Sequence, residues 1–136
     1  MSDENVELVR GAYAALAARN IEGLLNVLHH EVDWLPVTAL IHGGQRYRGR
    51  YGVGAWYRYV IDNWAEYSER PSDLRGGADH VLAIGSVVTK VREDEAPLHT
   101  PAAWLWKLEE GLAVSMHAYL EQAKALEALR AATGLD

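Results

Sequence analysis
The stretch HTPAAWLWKLEEG, His99 to Gly111, sets Trp104 and Trp106 two residues apart. In a strand that spacing sends both indoles to one face. Each ring is large and apolar, yet carries an N–H that needs an acceptor once buried. Trp34 and Trp56 add two more rings of this kind. Such a set suits the wall of an aromatic pocket and, equally, the plain core of a small domain. His42, in LIHGGQ, sits in a glycine-containing connection. An imidazole there could act as an acid or base over a cavity mouth, or simply stand in solvent. His29 and His30 have no carboxylate–histidine set at ligand spacing beside them, so no metal is expected. The absence of cysteine excludes disulfides, thiol catalysis and cysteine-ligated zinc. GRYGVG lacks both the preceding strand and the spacing of a phosphate-binding loop.

The elements that must position these residues are legible from periodicity. The chain has 136 residues, 49% of them hydrophobic, which suits one domain over 1–136. Val6, Val9, Tyr13, Leu16 and Ala17 recur at helical spacing after an acidic start, giving a helix over about 3–18. Asn20 caps a second helix, IEGLLNVLHH, with the histidine pair at its C-terminus. EVDWLPV alternates as a strand, with Val32, Trp34 and Pro36 on one face and Asp33 turned away. ALIHGGQRYRGRYG is a connection whose arginines, Arg46, Arg48 and Arg50, read as a solvated patch. VGAWYRYVIDNWAEY returns to helical spacing, with Val53, Trp56, Tyr57, Val60, Ile61 and Trp64 in one stripe. Strands follow from about residue 66: a weak one in SERPSDLRGG, a strong one in HVLAIGSVVTKVRE, then LHTPAAWLWKL and LAVSMHAYL. A last helix, EQAKALEALRAA, ends at Gly134. Helices first and strands afterwards mean an α+β fold with an antiparallel sheet, curved to wrap its aromatic helices.

A three-residue loop Glu109–Gly111 would pair Leu108 with Leu112 and Trp104 with Met116. Thr100, Ala102, Trp104, Trp106, Val114, Met116 and Ala118 then share an inward face. His99, Pro101, Ala103, Leu105, His117 and Tyr119 face outward, and Glu121 comes opposite His99. A one-residue slip would reverse both faces. Pro101, Ala103 and Leu105 form an apolar row that would be odd in open solvent, so a homodimer through this outer face is expected.

Net charge is −6 without a basic cluster, which argues against nucleic acid. No 18-residue apolar run is present, which argues against a membrane span. The N-terminus MSDENVELVR lacks a signal pattern, and a cytoplasmic protein is expected.

Three segments carry a resemblance to a known family: ENVELVRGAYAALAARNIEGLLNVLHHEVDW, the YRGRYGVGAW run, and WKLEEGLAVSMHAY before KALEALRAATGL. Together they resemble SnoaL-like domains of the nuclear transport factor 2-like, ketosteroid isomerase-like superfamily. The resemblance covers nearly the whole chain and implies a cone: a strongly curved antiparallel sheet on N-terminal helices, enclosing a cavity, with a C-terminal helix. It implies a small, largely apolar ligand. Members include isomerases, polyketide cyclases, dehydratases, epoxide hydrolases and binding-only proteins.

Carried over residue by residue, the catalytic tyrosine of the steroid isomerases falls on Tyr13 and a supporting tyrosine on Tyr57. A third tyrosine falls on Leu28, the general-base aspartate on Pro36 and the oxyanion aspartic acid on Trp104. With both carboxylates replaced, standard ketosteroid isomerase chemistry is not implied. Met116 falls at a pocket-lining place. The histidines used by dehydratases have His99 and His117 as counterparts only on the outer face. No Asp–Arg–Asp group of the epoxide hydrolase kind can be placed inside. Asp33, the strand candidate for a cyclase aspartate, faces away.

The expected protein binds a small hydrophobic oxygenated molecule. Tyr13 and Tyr57 would supply polar contacts, and Trp34, Trp56, Val60, Thr100, Trp104, Trp106, Met116 and His42 would line the site. Any chemistry would be acid–base work of isomerase, dehydratase or cyclase type without a cofactor. The alternative is a non-catalytic dimeric binding or scaffold domain whose cavity is packed shut by tryptophan.

Overall fold
A computed structural model describes residues 2–41 and 45–134. His42 lies outside the described residues. The periodic first segment is helix α1 (Ser2–Ala17), which buries Val9, Ala12 and Tyr13. Arg19, with φ 58°, turns the chain, and Asn20 accepts a hydrogen bond from the Gly23 N–H at 3.0 Å to cap α2 (Ile21–Leu25). This second helix is shorter than its hydrophobic pattern suggests. His29 and His30 belong instead to strand β1 (Leu28–Leu35), where their rings stack at 4.2 Å. They therefore close no helix. Burial alternates through Val32 and Trp34, which matches a half-buried strand better than a helix.

Pro36 lies past the end of β1, ahead of α3 (Val37–Ile41). The connection expected as pure loop thus holds α3 and a short strand, β2 (Tyr47–Arg48). Helix α4 (Gly49–Asn63) buries Val53, Trp56 and Val60, part of the expected stripe. Ile61 of that stripe is exposed, because it sits at the stripe's edge. Strands β3 (Glu66–Gly77), β4 (His80–Lys90), β5 (Leu98–Glu109) and β6 (Leu112–Tyr119) follow, then α5 (Gln122–Thr133), ended by Gly134 at φ 73°. That left-handed terminus suits a residue without a Cβ.

The six strands form one sheet in the order β2-β1-β6-β5-β4-β3. All neighbours pair antiparallel except β1 and β6, which are parallel. The helices α1 and α4 pack on the inner face and enclose a tryptophan-rich core.

The last hairpin differs in register from the three-residue loop. Glu109 pairs with Leu112 across a two-residue turn, Glu110–Gly111, with φ 52° and 79°. Two left-handed residues match the twist of the flanking strands. A bulge between Lys107 and Leu108 then sets Trp106 against Met116 and Trp104 against Ala118. The offset from the expected pairing is two residues, so the side-chain faces survive: Ala102, Trp104, Trp106, Met116 and Ala118 are buried. Next to the turn parity changes, and Ala113 rather than Val114 enters the core. Leu98 is exposed because it lies beyond the helices' reach.

On the outer face, α5 packs over Leu82 and Ala103, with Leu105, Ile84 and Tyr119 around them. The apolar row that suggested a second copy is thus covered by the chain's own helix at Ala103 and Leu105. Only Pro101 is left exposed. Glu121 does not reach His99: it precedes α5 and pairs with Lys124 at 3.3 Å. His117 and Asp33 do face outward. Asp33 Oδ2 lies 3.2 Å from His117 Nε2, and Arg46 Nε lies 2.9 Å from Asp33 Oδ1. Arg46 is therefore paired, and it pins the start of β2 to the sheet's outer side.

Gly85 shows how tightly β3 and β4 approach. It pairs with Pro71 at a bulge, and a Cβ there would overlap the Arg70 carbonyl and the Pro71 Cα. Both are backbone atoms that cannot swing aside. Gly85→Ala should cost roughly 1–3 kcal/mol, read as a lowered urea midpoint at unchanged slope. An unchanged midpoint would show that the bulge is free to move.

Candidate functional site
The aromatic residues divide into two groups. Trp34, Trp104 and Trp106 are essentially without exposure and pack around Tyr13 and Trp56. Trp106 Nε1 donates to the Tyr13 hydroxyl at 3.0 Å, and Trp56 Nε1 donates to Thr38 Oγ1 at 3.2 Å. The indole N–H groups of Trp34 and Trp104 have no hydrogen-bond partner among the described residues. This cluster and Met116 fill the sealed interior of the curved sheet.

The second group borders space. A pocket of about 470 Å³ opens between the end of α1, the face of α4 and the start of β3. Trp56, Tyr57, Val60 and Trp64 form its apolar side, and Tyr67 and Glu69 face them from β3. Of the residues expected to line a site, Trp56, Tyr57 and Val60 are found here. Trp34, Trp104, Trp106, Met116 and Thr100 are not among its walls, because their rings and chains are consumed by packing or lie further along the sheet. Tyr13 is also absent from the walls, with its hydroxyl engaged by Trp106. The two tyrosines expected to act together thus have separate settings.

The feature missed in the sequence is a carboxyl group. Glu69 is only 9% exposed. Tyr67, two residues earlier on the same strand face, donates its hydroxyl to Glu69 Oε2 at 2.7 Å. Burial pushes the Glu69 carboxyl up from 4.5 to about 7, and the Tyr67 hydrogen bond opposes part of that rise. Burial, and then the nearby Glu69 charge, hold the hydroxyls of Tyr67 and Tyr13 well above the usual tyrosine range. Both tyrosines therefore remain proton donors at neutral pH. The group combines a carboxyl able to take or give a proton near pH 7 with a tyrosine that orients it. The sequence pattern places Glu66 and Tyr67 at the end of the helical stretch VGAWYRYVIDNWAEY, and Glu69 and Arg70 at the polar start of the weak strand SERPSDLRGG. The one available signal was Tyr67 and Glu69 at strand spacing. No group of three or more histidine or carboxylate residues suited to a metal ion occurs among the described residues.

The sequence matches the SnoaL-like domain over residues 9–116, most of the chain. The protein belongs to the SnoaL-like family. Structures similar to this SnoaL-like domain agree with its fold. A nuclear transport factor 2-like protein of unknown function from Burkholderia pseudomallei has TM-score 0.77 at 23% identity, over 91% of this chain and 95% of that one. TerC, co-crystallized with polyporic acid, has TM-score 0.76 at 21% identity, over 91% and 96%. A protein from Xanthomonas campestris named as a candidate polyketide cyclase has TM-score 0.70 at 16% identity, over 93% and 96%. At these identities the likeness concerns the fold alone. No curated protein matches the sequence significantly. No described helix of this SnoaL-like domain is long and apolar enough to cross a membrane.

Proposed function
We propose that this SnoaL-like domain binds a small hydrophobic oxygenated molecule in the pocket between α1, α4 and β3, and moves a proton on it with Glu69. The observation that carries this reading is a buried carboxyl, hydrogen-bonded by Tyr67, in the wall of a pocket of about 470 Å³. That volume falls in the range of small-molecule sites. A buried acid needs a reason to be retained, since burial opposes its ionisation. A base poised near neutrality supplies one, because proton transfer is most efficient when the group's pKa lies near the working pH. The reaction class is isomerisation, dehydration or cyclisation through abstraction and return of a proton beside a carbonyl, work that a carboxylate and a tyrosine can perform without a cofactor. In steroid isomerases this role falls to aspartates; here Glu69 takes it from a different strand. TerC, co-crystallized with polyporic acid, and the protein named as a candidate polyketide cyclase share this fold and are compatible with a small-molecule ligand.

Trp56 and Trp64 stand in the pocket wall, so occupancy should alter tryptophan emission. Titration with small apolar ketones, lactones and epoxides should give a saturable change for at least one class, and Tyr67→Phe should weaken that binding. A flat response across the panel by a folded protein would favour the non-catalytic scaffold, a reading to which the sealed tryptophan cluster lends support.

A further inference from the structure
The charges around the same pocket point to the ligand's own charge. Five ionisable acids and arginines line it: Glu66, Glu69, Glu93, Arg19 and Arg70. Arg70 pairs with Glu66 at 3.4 Å, and Glu93 is met by Lys90 at 4.0 Å. Glu69 is turned to Tyr67. The Arg19 side chain alone of this set has no ion pair or hydrogen bond among the described residues. It stands exposed on the rim, where the end of α1 meets the pocket, on a left-handed backbone with φ 58°. A left-handed position after a helix suits glycine best, and a long cationic side chain gains nothing from it locally.

We propose that the pocket selects molecules carrying one acidic group, a carboxylate or an acidic enol, with Arg19 binding that group at the rim. This rests on the reading that the pocket is the ligand site. The ligand's apolar body would lie against Tyr57 and Val60, and its reacting end would reach Glu69, the more buried of the two polar ends. A single guanidinium offers a planar fork that matches a carboxylate's two oxygens. One unpaired cation balances one negative charge, so a doubly charged phosphate ester fits less well.

The test compares naphthalene-2-carboxylate with 2-acetylnaphthalene, a neutral ketone of similar size, by calorimetric titration of the full chain. The carboxylate should bind about tenfold more tightly, and its advantage should shrink with added salt. Arg19→Gln should remove the advantage while leaving ketone affinity unchanged. Arg19 is exposed, so this variant should fold, and thermal unfolding would verify it. If the ketone binds as well as the carboxylate, or the advantage survives Arg19→Gln, the charge selection is overturned and the pocket reading stands. If neither compound binds, both fall.

Discussion

Glu69→Gln should remove a pH dependence of stability that the wild-type chain carries between about pH 4.5 and pH 7. The folded carboxyl titrates near 7 and its ordinary value is 4.5. Between those values the folded state holds a proton that the unfolded chain has released. Stability therefore falls as pH rises, because the unfolded state binds fewer protons. The contribution is complete below the unfolded value and lost once pH passes the folded one. A rise of this size corresponds to about 3 kcal/mol. Glutamine keeps an oxygen for Tyr67 and never ionises. Urea unfolding at pH 4.5 and pH 8.5 should show the variant gaining about 3 kcal/mol on the wild type across the interval. Parallel curves would mean that Glu69 titrates normally and is not desolvated. The same substitution should lower turnover of any substrate found by about 10²- to 10⁴-fold, the usual worth of a positioned base. Loss of turnover together with a gain in stability at high pH is the signature of a desolvated acid kept for chemistry. A desolvated carboxyl with no part in the chemistry would show the same gain in stability but leave turnover unchanged.

Glu69 also shows what the sequence could and could not yield. Helical spacing in α1 and α4, the caps at Asn20 and Gly134, and alternation in β5 and β6 are local patterns, and each produced its element. The inward face of the last hairpin survived an error in its loop because the pairing offset was even. β3 had no such protection. Its charges at Glu66, Glu69, Arg70, Asp73 and Arg75 look like a solvated edge, and most of them are. Glu69 is buried because α1, which ends far earlier in the chain at Ala17, packs over the start of that strand, with α4 beside it. His29 and His30 failed in the opposite sense, with a hydrophobic helical pattern running on into residues that the sheet recruited. The resemblance was informative about the fold, yet it directed attention to Tyr13 and Trp104, the sealed end. The open pocket lies beside them, at a position where the isomerase pattern places no acid.

Trp104→Ala should cost roughly 3–5 kcal/mol, the range for removing a large ring from a packed core. Trp104 is 0% exposed, stacks edge-on with Tyr13 at 5.7 Å and lies outside the pocket walls. No solvent-filled space stands ready to absorb the loss, so a cavity remains where the indole was. Trp104→Phe separates the two contributions of this residue. It keeps most of the apolar volume and removes an N–H that has no hydrogen-bond partner among the described residues. An unpartnered buried donor carries a desolvation penalty of about 1–3 kcal/mol. The phenylalanine variant should therefore lose much less than the alanine one, by denaturant unfolding. Ligand affinity in the pocket should change little in either variant if they remain folded. A large affinity change with little loss of stability would make Trp104 a wall of the binding site. The site would then extend into the sealed end of the sheet, and the division between a packed aromatic core and an open pocket beside Glu69 would have to be given up.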